Sequence, residues 1–199
     1  MWLLDGVVAP SVRLSTLQLL AKTGNRMILS THAIVGAALA SFLPAHPIGA
    51  FVIGFGSHFV LDAIPHWDYS IKSRSVDPKF RAPVVFDSAL RRDALTIGSD
   101  AVFGIMIALL VFGSRESFWA VLVGAIGAML PDPLQFLHAR WPHGPLQIHQ
   151  RFHRWAHTNR KIASIPFGVG TQMTLVVAVI VLTTALHHYT VLATARGSG

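Results

Sequence analysis

The sequence predicts an all-α integral membrane protein of about five transmembrane helices, arranged as two short helical hairpins and a C-terminal span. Three observations lead there. The 199 residues are 52% hydrophobic and only 13% charged, against about a quarter charged in an ordinary soluble domain. Mean hydropathy is +0.53. The apolar residues are also clustered: no charged residue occurs between Met27 and Leu61, and none from Ile162 to Ala195.

Residues 1–26 form an N-terminal extension of mixed character. Asp5, Arg13, Lys22 and Arg26 accompany leucines at 14, 17 and 20, a pattern that suits an amphipathic helix lying on a membrane surface. Residues 27–190 read as one membrane domain. Its first uncharged run is too long for a single span of about 20 residues, and Pro44-Ala45-His46-Pro47 breaks it. Helices are therefore expected near 29–43 and 48–64. Gly36, Gly49, Gly54 and Gly56 allow close helix approach. Residues 65–94 form a polar loop with mixed charges and prolines at 78 and 83, with a short helix expected near 85–93. A second hairpin follows near 94–113 and 117–137, turning at Arg115-Glu116. The last span is expected at 165–186, and 191–199 as a disordered tail. His32-x3-Gly36 and Asp100-x3-Gly104 stand in similar positions in the two hairpins, as do Asp62 and Asp132, which suits either a duplicated hairpin or a chance likeness.

The charge distribution orients this layout. With the N-terminus in the cytoplasm, the N-terminal segment and the 65–94 and 138–161 loops carry three, six and five Lys or Arg. The opposite turns and tail carry none, one and one. Such a bias marks the cytoplasmic side. It also explains the net charge of +7 without a nucleic-acid partner. No cysteine is present, so any metal must be held by His, Asp, Glu or water.

The same layout brings the ionisable residues of the apolar runs to one face. His32 starts the first span. His58, Asp62, His66 and Asp68 end the second. Asp100 starts the third, Asp132 ends the fourth, and His149, His153 and His157 precede the fifth. Charged groups within a span are costly and are usually kept for function. His153-x3-His157 suits a zinc-like ion if helical, or else belongs to a wet basic loop that meets anionic lipid. His58-x3-Asp62 either chelates one cation or locks two helices by a hydrogen bond. Asp132 is either a ligand or a helix cap. His32 is a ligand candidate, or marks the membrane interface. Asp62, His66 and Asp100 are candidates for acid–base work, and Arg151 and Arg154 for holding an anionic group. His149 completes the histidine row or faces water. His46, His187 and His188 fall at the other face and are assigned no chemistry, and Trp67, Tyr69, Trp141 and Trp155 read as an interfacial aromatic belt.

Thr31-His32, Leu130-Pro131-Asp132 and His153-Arg154-x-x-His157-Thr158, in this order along such a layout, resemble the YdjM-like inner-membrane-bound metal-dependent hydrolases, small bacterial membrane proteins. The resemblance implies a divalent metal, most simply zinc, held by His32, Asp132, His153 and His157, to which the His58–Asp62 pairing adds His58. It further implies a hydrolase in the bacterial inner membrane, and it strengthens Asp132 as a ligand. The headgroup-level position suggests a lipid or lipid-linked phosphoester as substrate. The chain departs from the family pattern at Pro133-Leu134-Gln135, where another aspartate and a histidine are usual, and at Trp155, where glycine is usual. The competing expectation is a structural metal site, or a path for a metal ion or proton.

Overall fold

The computed structural model describes residues 25–73, 84–158, 162 and 164–197. Among these residues, seven helices carry the fold: α1 (Leu29–Ala40), α2 (Pro47–Asp62), α3 (Ser88–Phe112), α4 (Phe118–Met129), α5 (Pro131–Arg140), α6 (Pro145–Ala156) and α7 (Ile165–Gly197). Two three-residue strands, β1 (Asn25–Met27) and β2 (Asp68–Ser70), pair antiparallel with Arg26 opposite Tyr69. The all-helical membrane class is borne out at this level. Of the N-terminal extension expected as an amphipathic helix over 1–26, residues 1–24 lie outside the described residues, and Asn25 and Arg26 belong to β1.

Helix α1 is the centre of the molecule. All its residues except Leu39 are buried, and it packs against α2, α3, α4 and α7. A helix apolar all round is one that is covered all round. Its neighbours come close because small residues face each other. A Cβ on Gly54 would run into the Gly124 backbone, and one on Gly104 into Ser30. The main core joins Leu29, Ile34, Phe112, Val121 and Met129 with alanines 33, 37, 38, 108 and 125. Outward faces stay apolar: Val102, Leu110, Trp119, Val177 and Val181 are exposed. That surface suits lipid and not water.

Among the described residues, two helices, α3 and α7, are long and apolar enough to cross a membrane, and α4 with α5 makes a third by length if they are one bent span. Helices α1 and α2, of 12 and 16 residues, extend only about 18 and 24 Å, short of a hydrocarbon core of about 30 Å.

Three boundaries differ from the sequence reading. Helix α3 starts at Ser88, absorbing the separate short helix, because Asp87 caps it through Leu90 N–H at 2.7 Å and no proline follows. The straight fourth span is instead two helices bent by 44° at Leu130. Pro131 and Pro133 lack the N–H groups that would continue the helix. Helix α7 runs on to Gly197 where a disordered tail was expected from 191. No Gly or Pro interrupts residues 171–196, and Thr190 and Thr194 bond back to carbonyls one turn earlier.

Candidate metal centre

The site lies where the start of α1, the end of α2, the α4–α5 break and α6 meet. Asp62, at the last turn of α2, is its centre. Its Oδ2 is 2.7 Å from His153 Nε2 and 3.1 Å from His58 Nε2, and its Oδ1 is 3.5 Å from His32 Nε2. His58 and His153 Nε2 are 3.3 Å apart. His32 stacks on His58 with ring centroids 4.2 Å apart. His32, His58, Asp62, His66, Asp132 and His153 are all buried. His157, which follows α6, is half-buried and opens the cluster on one side.

Hydrogen bonds settle the tautomers of three histidines. Nδ1 of His58 lies 2.8 Å from Ala128 O, Nδ1 of His66 2.7 Å from Ile64 O, and Nδ1 of His157 2.8 Å from Thr158 O. A carbonyl only accepts, so each Nδ1 donates, and in the neutral ring the lone pair sits on Nε2. This is the arrangement that metal-ligating histidines adopt. At His58 it has a direct consequence. The Nε2 lone pair points at a carboxylate oxygen, an acceptor meeting an acceptor. Only positive charge between them, a second proton or a cation, makes that contact favourable. Neither ring nitrogen of His32, nor Nδ1 of His153, has a hydrogen-bond partner. Buried polar atoms of this kind need an explanation.

Among the described residues, three groups have donor atoms within 4.8 Å of one another: His32, His58 and Asp62; His58, Asp132 and His153; Asp62, His66 and His157. Ligands at about 2.0–2.1 Å around a tetrahedral ion lie about 3.3 Å from each other; two of the three separations, 3.1 and 3.3 Å, are close to that, while the third, 2.7 Å between Asp62 Oδ2 and His153 Nε2, is a hydrogen-bond distance. These His and Asp clusters could bind a metal ion.

All five expected metal ligands, together with Asp62 and His66, are thus brought together. Asp100 is not. Its Oδ2 accepts from the backbone N–H of Ser30 at 3.2 Å, so it satisfies an otherwise open donor at the start of α1. It enters none of the three groups. Asp100, expected among the acid–base candidates, therefore stands apart from the cluster, and its partner across helices is a backbone amide. Arg151 and Arg154 both extend from the exposed side of α6, and Arg154 Nε donates to Gln150 O at 3.4 Å. Their charge faces outward, away from the buried ligands. His149 also stays outside the groups. It lies between Phe55, Phe59 and His153, and burial, then the neighbouring His153, hold its pKa down to about 4. It is neutral at physiological pH. His187, assigned no chemistry, ties the far end of α1 to α7 through Ser41 Oγ at 2.8 Å.

Sequence reasoning missed three glutamines. Gln135 Nε2 donates to Asp132 Oδ1 at 2.9 Å, and Gln150 Nε2 to Gln135 Oε1 at 3.3 Å. Gln172 donates to Trp67 O at 2.6 Å and accepts from Thr31 at 3.4 Å, pinning α7 beside His32 and His66. Gln172 had a signal: it is the one amide side chain in the last uncharged run. Gln135 had a weaker one, standing one helical turn after Asp132.

No family model, curated protein or solved structure matches the chain.

Proposed function

We propose that this chain is a membrane-bound, metal-dependent hydrolase of the YdjM-like kind, acting on a phosphoester of a lipid or lipid-linked substrate at the cytoplasmic face of the bacterial inner membrane. The observation that carries the reading is the Asp62 carboxylate facing the Nε2 atoms of His58 and His153, with His58 Nδ1 already committed to a carbonyl. That set of donors suits zinc. A divalent ion held there would acidify a bound water and polarise a phosphoryl oxygen. His58, Asp132 and His153 would hold it together with Asp62 Oδ2, and the proton lost by the water would pass to the leaving oxygen. The attacking water forms a new P–O bond, the ester P–O bond breaks, and the leaving oxygen takes up a proton.

Three features support a lipid-borne substrate. The cluster opens at His157, where a headgroup could reach it. Helix α6 exposes Ile148, Phe152 and Trp155, an apolar stripe suited to lie in the interface. Arg151 and Arg154 on the same exposed side suit phosphate groups of neighbouring lipids. The positive-inside bias supports a five-segment layout with the N-terminus inside.

A second reading, a structural metal, draws support from the deep burial of His32, His58 and His153. One experiment separates them. Full-length protein in detergent is stripped with chelator, reloaded with Zn²⁺, and assayed for headgroup release from bacterial phospholipids. The hydrolase reading expects release that disappears on chelation and returns with Zn²⁺. Bound zinc without turnover would favour the structural role. No zinc bound by a helical, folded protein would overturn both.

A further inference from the structure

We propose that the centre is built for two cations, with Asp62 as the bridging carboxylate and His66 and His157 completing a second position on the open side. The inference rests on the reading that the cluster binds metal, and deepens it.

The donor count comes first. His32, His58, Asp62, His66, Asp132, His153 and His157 all belong to the candidate groups. Zinc takes four ligands, and a catalytic zinc only three from protein. Seven such side chains are too many for one ion. They divide naturally, because two of the groups share no residue: His58, Asp132 and His153 form one, and Asp62, His66 and His157 the other.

Asp62 joins the two. Its Oδ2 is within 3.1 Å of both His58 and His153 Nε2, while its carboxylate also belongs to the second group. His58 cannot bridge, since Nδ1 is engaged with Ala128 O and a neutral imidazole has one lone pair. A carboxylate has an oxygen for each side. His32 Nε2, 3.5 Å from Oδ1, is within reach of the side that Oδ2 leaves.

The second group carries its own preparation. The His66 and His157 rings are 5.3 Å apart and steeply inclined. Each donates Nδ1–H to a backbone carbonyl, which directs its lone pair through Nε2. The backbone holds the two segments together: Thr158 N–H donates to Asp62 O at 2.8 Å, and Ile162 N–H to His66 O at 3.1 Å. Two unrelated loop segments are thus clamped so that their imidazoles face one carboxylate. His157 is half-buried, so the second ion is the one a phosphoester meets. Paired ions about 3.5–4 Å apart can hold the attacking and leaving oxygens of a displacement at phosphorus.

The test counts zinc by mass spectrometry on full-length protein in detergent, after equilibrium dialysis against Zn²⁺. The expected result is two per chain for the unaltered protein and one for His66→Ala/His157→Ala with helicity kept. One per chain in the unaltered protein overturns the second position and leaves the metal reading standing. Zero overturns both. Two in the double variant overturns the assignment to His66 and His157. Should the double variant not fold, the unaltered protein loaded with Mn²⁺ decides by electron paramagnetic resonance. An exchange-coupled pair is expected, and only isolated-ion signals at saturation would overturn the proposal.

Discussion

At the scale of single residues, the centre depends on how ligands are held as much as on which they are. Asp132 shows this. Its Oδ1 accepts from Gln135, one turn on in α5, and Gln135 in turn accepts from Gln150 of α6. The amide therefore links the carboxylate to the helix that carries His153. A neutral group thus orients the buried acid. Replacing the amide while leaving every ligand in place gives a clear expectation: Gln135→Ala lowers zinc affinity roughly 10- to 100-fold, measured by competition with a chromophoric chelator, with helicity unchanged. An unaltered affinity would mean that Asp132 needs no such support. The residue identities at the centre were largely legible in the sequence, because an ionisable group in an apolar run is expensive and stands out. The roles were less so. Asp100 stood out for the same reason as Asp62, yet it meets a backbone amide and not an imidazole. Periodicity along one helix does not show what faces it from another. The tautomer-setting carbonyls of Ala128, Ile64 and Thr158 could not be read at all, since every residue has a carbonyl.

At the scale of elements, the helices that hold the site are placed by small residues. Gly54 of α2 and Gly124 of α4 face each other with no room for a side chain, and a Cβ at 124 would also meet Ala40 of α1. Four residues beyond Gly124 lies Ala128, whose carbonyl holds His58. Close packing and ligand orientation thus share one contact. Gly124→Ala would push α4 away from α1 and α2, since the atoms in the way are backbone and a rigid methyl and not the end of a flexible chain. Overpacking of this kind costs about 1–3 kcal/mol, read as a lower midpoint in thermal unfolding in detergent. Zinc affinity should fall with it. The comparison variant is Gly56→Ala, where an added Cβ meets nothing within 4 Å, and no loss of stability is expected there. Equal effects at 56 and 124 would remove close approach as the cause. The hairpins were visible in the sequence as uncharged runs rich in glycine. Which glycines touch was not, because Gly36, Gly49, Gly54 and Gly56 look alike until the crossing points are known. The bend at Leu130 was signalled by Pro131 and Pro133, and its value here is that it turns Asp132 inward, where it is buried.

At the scale of the whole molecule, the open matter is how deep the short α1–α2 hairpin reaches. Gln172 of α7 meets Thr31 near one end of α1, and His187 meets Ser41 just past the other. Fifteen residues of α7 separate those two contacts, about 22 Å of helix, less than a hydrocarbon core of about 30 Å. With the site at the headgroup level, as proposed, the tip at 44–47 would arrive near the far interface without passing it. The α3–α4 turn, at the end of a 25-residue helix, would go further. The chain has no cysteine, so single cysteines can be placed and labelled without background. Arg115→Cys in the α3–α4 turn and Ala45→Cys at the hairpin tip are both exposed positions, as is Val84→Cys in the loop before α3. With an impermeant thiol reagent on intact cells, Arg115→Cys should label fastest. Ala45→Cys should label from the same side but more slowly, being held at the interface. Val84→Cys should label only after the membrane is opened. Ala45→Cys and Val84→Cys labelling together from the inner side would make the hairpin re-entrant and reduce the layout to three crossings. The centre would survive that result, since its ligands sit at the ends of α1 and α2 and not at their tip, but the five-segment layout would not.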